Sequence, residues 1–203
     1  MDEITAFVLY FLAFALIHSV LATDNAKERA EKILKNNFRF YRIIYNIISF
    51  VTAAPAFIVW WRSSTASSTS SSTSFVYILP DWISPIITLL QLLAIGLFGY
   101  ALFQNDLLEF AGLRKKKTDS KPITDGVYRI VRHPQYTALI ILIFSQNKMT
   151  VLDLTAAVLI SFYCIIGAFI EEKRFVSSSG DRYRKYQEQV SMFIPIKWIL
   201  KRI

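Results

Sequence analysis

Five long apolar stretches, set apart by polar or charged segments, give the chain its pattern: residues 4–22, 40–61, 83–103, 136–146 and 151–170. Stretches of this kind satisfy their backbone N–H and C=O groups in lipid only when coiled into helices. The pattern predicts an all-α fold, a polytopic membrane bundle of about five transmembrane helices followed by a cytosolic helical segment at the C-terminus. The fourth stretch is short for a lone span at ~1.5 Å rise per residue. It reads instead as one arm of a tight hairpin with the fifth, with Asn147-Lys148 as the turn and Thr150 or Asp153 as the cap of the returning helix.

Composition agrees with a membrane protein. Of 203 residues, 54% are hydrophobic, and the mean hydropathy is +0.38. No internal repeat is visible, so residues 1–203 read as a single integral membrane domain. Residues 1–104 carry spans one to three, and residues 105–203 form a second half. The segment SSTASSTSSSTS at 63–74 is a low-complexity loop expected to be flexible. Met1-Asp2-Glu3 is acidic where a leader would be basic, so no signal peptide is expected. The single cysteine, Cys164, lies mid-stretch and reads as a small buried hydrophobe. With one thiol and two histidines, no metal site is expected.

A net charge of +8 raises the question of nucleic acid, and the placement of the charge answers it. Six basic residues lie between stretch one and the first turn of stretch two, Arg42 included, seven between three and four, and eight after five, so 21 of the 23 share one side. Such an asymmetry marks the cytosolic face, which puts the N-terminus outside and the C-terminus in the cytosol. The basic excess therefore reads as topology and contact with membrane lipids, with no nucleic-acid partner. Arg114-Lys-Lys-Lys117 reads in the same way, as a solvated cluster at the membrane edge.

The chemistry gathers at that border. Residues 126–136 read GVYRIVRHPQY and lead directly into the fourth stretch. Pro134 suits the first turn of a helix, which places His133 at or next to the N-cap, beside unpaired backbone donors. After the fifth stretch come Glu171-Glu172. Gly180 is suited to end that helix, Asp181 to cap a last short one, and Tyr183, Tyr186 and Val190 to share one face of it. An antiparallel hairpin brings these two segments together on the cytosolic side. Arginines, helix-terminal donors, paired carboxylates and aromatic rings suit a ligand with an anionic end, a cationic centre and a stacking group. The blander alternative is that the glutamates only pair with the arginines and the tyrosines only anchor the interface.

In this order, Gly126, Tyr128, Arg132, His133, Pro134, Tyr136, Glu171, Glu172, Gly180, Tyr183, Tyr186 and Pro195 resemble the membrane methyltransferases of the isoprenylcysteine carboxyl methyltransferase superfamily. IHSVLA around His18, FRFYRIIYNIISFVT at 38–52, NDLLEFAGLRK at 105–115, KMT at 148–150 and EEKRF at 171–175 look like the branch of NnrU-type proteins and methanethiol S-methyltransferases. The resemblance implies S-adenosylmethionine bound on the cytosolic side of the hairpin, without a metal. A small-molecule or lipid-soluble methyl acceptor would reach it from within the membrane. It places Tyr128, His133, Pro134, Tyr136 and Glu171 around the cofactor, with Arg132, Glu172, Tyr183 and Tyr186 supporting or closing the wall. Two departures stand out. Ala138 replaces a frequent glycine, and residues 167–170 carry no charge where carboxyl methyltransferases place an arginine. The second favours a small or neutral acceptor such as a thiol over a prenylcysteine carboxylate.

For a thiol acceptor, Arg132 or the cofactor's own positive charge would favour the thiolate, and His133 or Glu171 would take the proton. His18, an ionisable group within the first span, reads either as a histidine bonded to a neighbouring helix or as a wall of the acceptor pocket. Carboxyl methylation remains the alternative reaction. A non-catalytic NnrU-like protein, binding a haem-related or other hydrophobic ligand or assisting a nitrogen-oxide pathway, is the alternative outside enzymes. A transporter is disfavoured by the absence of broken helices and paired intramembrane charges. The acceptor's identity and the oligomeric state are not readable from these residues.

Overall fold

The computed structural model describes residues 2–66, 74–105, 113 and 122–202, which fall into two compact units. The first comprises residues 2–66, 74–77, 113 and 149–156; the second comprises 78–105, 122–148 and 157–202. The Arg114–Lys117 cluster and most of the 105–115 segment lie outside the described residues.

In the first unit, α1 (Glu3–Ala22) starts on Asp2, whose carboxylate accepts from the Thr5 amide at 2.8 Å and its hydroxyl at 2.7 Å. It packs along α3 (Tyr41–Ala66). Between them lies α2 (Asp24–Leu34), a charged helix with no buried residue, capped by Thr23 and followed by a 3₁₀ turn at Lys35–Phe40. Mean hydropathy does not reveal α2, because its narrow apolar face, Ala26, Ala30, Ile33 and Leu34, is outnumbered by charged and polar residues. The serine-rich segment departs from the expected loop at its start: residues 63–66 continue α3, while 67–73 lie outside the described residues.

Of the expected turn at Asn147-Lys148, Asn147 is a bend, while Lys148 opens the second strand of a small sheet. Phe75–Ile78 forms β1 and Lys148–Thr150 forms β2. The Leu79 amide donates to the Asn147 carbonyl at 2.8 Å, and the Val151 amide to the Ser74 carbonyl at 3.4 Å. The helix before this segment ends at Phe144. The backbone that follows must therefore find partners elsewhere, and a second strand supplies them. Thr150 and Asp153, proposed as alternative caps, act together. The Asp153 carboxylate accepts from the Thr150 amide (2.9 Å) and hydroxyl (2.8 Å), and the Thr150 hydroxyl accepts from the Asp153 amide (3.1 Å). The other carboxylate oxygen accepts from the Trp60 indole N–H at 2.6 Å, tying α3 to the start of α6 (Val151–Ser179).

In the second unit, α4 (Ser84–Gln104) packs against α5 (Pro134–Phe144). The Gln91 amide fastens the pair by donating to the Ser145 carbonyl at 2.6 Å. Helix α6 runs 29 residues, roughly 43 Å and longer than the hydrocarbon core, so its polar end projects beyond the apolar part. Gly180, at φ +53, separates it from α7 (Asp181–Gln189), and a last short helix, α8, spans Ile196–Leu200. The N-cap of α7 is Gly180, not Asp181, which sits in the first turn. Cys164 is buried, as expected of a small hydrophobe.

Among the described residues, four helical segments are long and apolar enough to cross a membrane: Glu3–Ala22, Asp24–Thr65, Asp81–Gln104 and Val151–Ser179. The pattern predicted about five. Helix α5 has 11 residues, about 16 Å, which does not reach across ~30 Å of hydrocarbon. Large apolar side chains such as Leu16, Phe50 and Phe103 are exposed along the spans, as lipid-facing positions require. The chain is an integral membrane protein built from an all-α bundle with one small sheet.

Asp153→Ala removes the acceptor for the Trp60 indole and for two buried capping donors of Thr150. The expected loss is about 2–3 kcal/mol, read as a lower midpoint of thermal unfolding in detergent by circular dichroism.

Candidate functional site

The site begins with a turn whose backbone favours glycine. Gly126 has φ +60, and a Cβ there would fall 2.1 Å from the Gln104 amide nitrogen. The Gln104 side chain brackets this turn, accepting from the Val127 amide and donating to the Asp125 carbonyl, both at 3.3 Å. The 3₁₀ turn Gly126–Arg129 carries Tyr128 inward to a buried position, where the Asn105 amide donates to its hydroxyl. The Tyr186 hydroxyl donates to the Tyr128 carbonyl at 2.6 Å, so α7 is fastened to this turn.

The next residues pair with the chain beyond α7. Val131 and Ser191 form a parallel bridge. The Arg132 amide donates to the Ser191 carbonyl (2.9 Å), and the His133 amide to that of Met192 (3.1 Å). His133 is the N-cap of α5, with Pro134 fully buried at the first helical position. The imidazole lies nearly parallel to the Tyr136 ring, centroids 5.6 Å apart at 11°, and 5.8 Å from the Phe193 ring.

Glu172 is the centre of this arrangement, its side chain 8% exposed. The Arg132 guanidinium grips it bidentately, Nε to Oε1 at 2.6 Å and Nη2 to Oε2 at 3.1 Å. The remaining guanidinium nitrogen, Nη1, donates to the carbonyls of Gln187 (3.2 Å) and Val190. The Gln187 amide donates to Oε2 at 2.6 Å, and His133 Nε2 lies 3.1 Å from Oε1. A carboxylate accepts and does not donate, so this contact places a proton on Nε2 and leaves Nδ1 as the nitrogen whose protonation can change. Nδ1 faces Glu171 Oε2 at 3.6 Å, and the Tyr136 hydroxyl bonds the same carboxyl. Glu171 is 46% exposed at its side chain, against 6% for His133, so of the two it is the one open to a ligand. A cavity of about 340 Å³ opens beside Glu172, bounded by Phe169, Lys173, Val176 and Gln187.

The tyrosines support this centre in their neutral forms. Tyr183 is buried between the rings of Phe175 and Tyr186. Burial is the main cause that pushes the phenols of Tyr128, Tyr183 and Tyr186 above their ordinary value, and the nearby glutamates add to it.

The structure thus brings together Tyr128, Arg132, His133, Pro134, Tyr136, Glu171, Glu172, Tyr183 and Tyr186 within the second unit. His18 belongs to the first. The Tyr45 hydroxyl lies 2.6 Å from its Nε2, and the Ser49 hydroxyl 3.0 Å from its Nδ1, so it is bonded to α3 as one of its two readings held. Three contributors were not foreseen: Asn105, Gln187 and Phe193. Gln187 follows Tyr186 directly, yet nothing in its spacing singles it out. The Phe193 ring is brought to His133 by the main-chain pairing of Ser191 and Met192, which leaves no side-chain pattern. Among the described residues, no cluster of His, Cys, Asp and Glu is suited to a metal.

Fold and site define a polytopic helical membrane protein with a histidine bonded to a buried carboxylate at the mouth of a helix hairpin. The family described as "NnrU protein" matches the chain over residues 6–190, and the chain belongs to that family. It is similar to proteins named methanethiol S-methyltransferase. That of Pseudomonas deceptionensis is 29% identical, over 93% of this chain and 71% of the relative. That of a Pseudomonas species is 28% identical, over 90% and 69%. Methanethiol S-methyltransferase 1 of Bradyrhizobium diazoefficiens is 26% identical, over 93% and 65%. No solved structure matches the chain significantly.

Glu172→Ala leaves the Arg132 charge buried without its partner, an expected loss of about 3–5 kcal/mol, whereas Arg132→Met with Glu172→Met together is expected to lose less than either alone. Unfolding midpoints of the single and double variants in detergent check this. Because burial raises the tyrosine pKa values, the stability they contribute is complete below about pH 10 and is lost as pH rises toward the folded-state values. Thermal midpoints should be insensitive to tyrosine ionisation from pH 7 to 9 and fall above 10, with a shallower fall in Tyr186→Phe.

Proposed function

We propose that the chain is a membrane methyltransferase that uses S-adenosylmethionine to methylate a small thiol, with the site facing the cytosol. The observation that carries this reading is His133 held by Glu172 through Nε2 while Nδ1 faces the half-open Glu171. The names of the relatives support methyl transfer to a thiol.

The residues present fit such a cofactor. Glu171 and the parallel faces of His133 and Tyr136 suit a sulfonium or ammonium centre. Gln135 has a buried amide nitrogen without an acceptor among the described residues, a spare donor at the start of α5 where a carboxylate is favoured. S-adenosylmethionine supplies an electrophilic methyl group on a positively charged sulfur. The protein's part is to align the acceptor, exclude water and take one proton.

The thiol S–H gives its proton to Glu171, the exposed member of the pair, and His133 Nδ1, 3.6 Å from its Oε2, shares that proton. Arg132 acts indirectly, because its guanidinium is committed to Glu172 and two carbonyls. It holds Glu172, and Glu172 fixes the tautomer of His133. The uncharged segment at 167–170 offers nothing to hold a substrate carboxylate, which supports a thiol over a prenylcysteine acid.

The test uses protein purified in detergent with labelled S-adenosylmethionine and methanethiol, larger thiols and prenylcysteine analogues side by side. Saturable cofactor binding and a thioether product are expected. His133→Ala and Glu171→Gln should each weaken cofactor binding by calorimetry and lower turnover at least 100-fold, roughly the scale of a lost acid–base group. Parent-like binding in both folded variants would remove this assignment.

A further inference from the structure

A second cavity, of about 470 Å³, has Tyr186 in its lining but neither glutamate of the first site, and its chemistry is different. Arg129, Arg182, Lys185 and Lys201 line it, with Asp125 as its single carboxylate. Asp125 is bound to Arg129 at 2.9 Å. Arg182, Lys185 and Lys201 have no ion pair among the described residues. Three unmatched cations around one concave space favour an anion.

What that anion is attached to follows from α8. Lys201 immediately follows this helix. Ile196, Ile199 and Leu200, at i, i+3 and i+4, share a face and are 54%, 45% and 66% exposed. Arg202 stacks over the Trp198 ring at 4.0 Å. An apolar face bordered by tryptophan and basic residues is the pattern of a helix lying at the membrane surface. A free phosphate would use the cavity and leave this face unused, whereas a phospholipid uses both.

We propose that the cavity bounded by Arg182, Lys185 and Lys201 binds the phosphate headgroup of an anionic glycerophospholipid, whose acyl chains run along the exposed face of α8. The site is independent of the methyl-transfer reading and stands or falls without it.

The test measures lipid binding to the full chain in detergent by native mass spectrometry. Phosphatidylglycerol, phosphatidylcholine and inorganic phosphate are the probes. Phosphatidylglycerol is expected to remain bound, phosphatidylcholine to be lost, and millimolar phosphate not to displace the lipid. Arg182→Gln/Lys185→Gln/Lys201→Gln should weaken phosphatidylglycerol binding at least about tenfold, since each cation near an anionic surface contributes roughly a factor of five. Lys185→Gln alone should show about one such factor, and Arg29→Gln/Lys32→Gln on α2 should change nothing. Unchanged binding in the triple variant, equal loss in the α2 control, equal retention of phosphatidylcholine or full displacement by phosphate would each overturn the proposal.

Discussion

The buried pair of Arg132 and Glu172 is the interaction on which the rest of the site depends. Removing two charges from water is unfavourable unless every remaining donor and acceptor is met. Here the guanidinium meets both carboxylate oxygens and two main-chain carbonyls, and the carboxylate also accepts from Gln187 and His133. Those requirements explain the path of the chain after α6. Helix α7 must return so that Gln187 and Val190 present their carbonyls, and the segment beyond it must lie beside residues 131–133.

One consequence is a division of labour between adjacent glutamates. Glu172 is consumed by structure, and Glu171, one residue earlier, keeps much of its surface open. A helix turns about 100° per residue, so neighbouring positions necessarily face different surroundings. The proposed proton transfer uses this difference. Histidine is oriented by one carboxylate and meets the other through its second nitrogen.

Much of this was legible in the residues, for identifiable reasons. His133-Pro134 marks a helix start because proline lacks the amide that a first turn cannot use. Glu171-Glu172 stands out because charge at the end of an apolar stretch needs an explanation. The hairpin follows from both, and Tyr136 near Gly167 shows its antiparallel sense. Other features left no such mark. Helix α2 is too polar on average for its short apolar stripe, Ala26, Ala30, Ile33 and Leu34, to stand out. The β2 segment KMT gains its strand conformation from pairing with residues far away in sequence. Gly180 serves as the cap that Asp181 was expected to supply, because a positive φ is easier for glycine than for any other residue. The contributions of Gln187 and Phe193 come from tertiary position alone.

The parallel bridge between Val131 and Ser191 joins segments that a ribosome makes far apart in time. Helices α5 and α6 are synthesised first, with Arg132 and Glu172 already in place to meet. The carbonyls of Gln187 and Val190 and the main chain at 191–192 arrive afterwards. During translation the half-made site is therefore a pair of charges without its full shell, and the last stretch of the described chain converts it into a closed one. A chain stopped before residue 187 should insert its spans yet expose that pair to water or to chaperones.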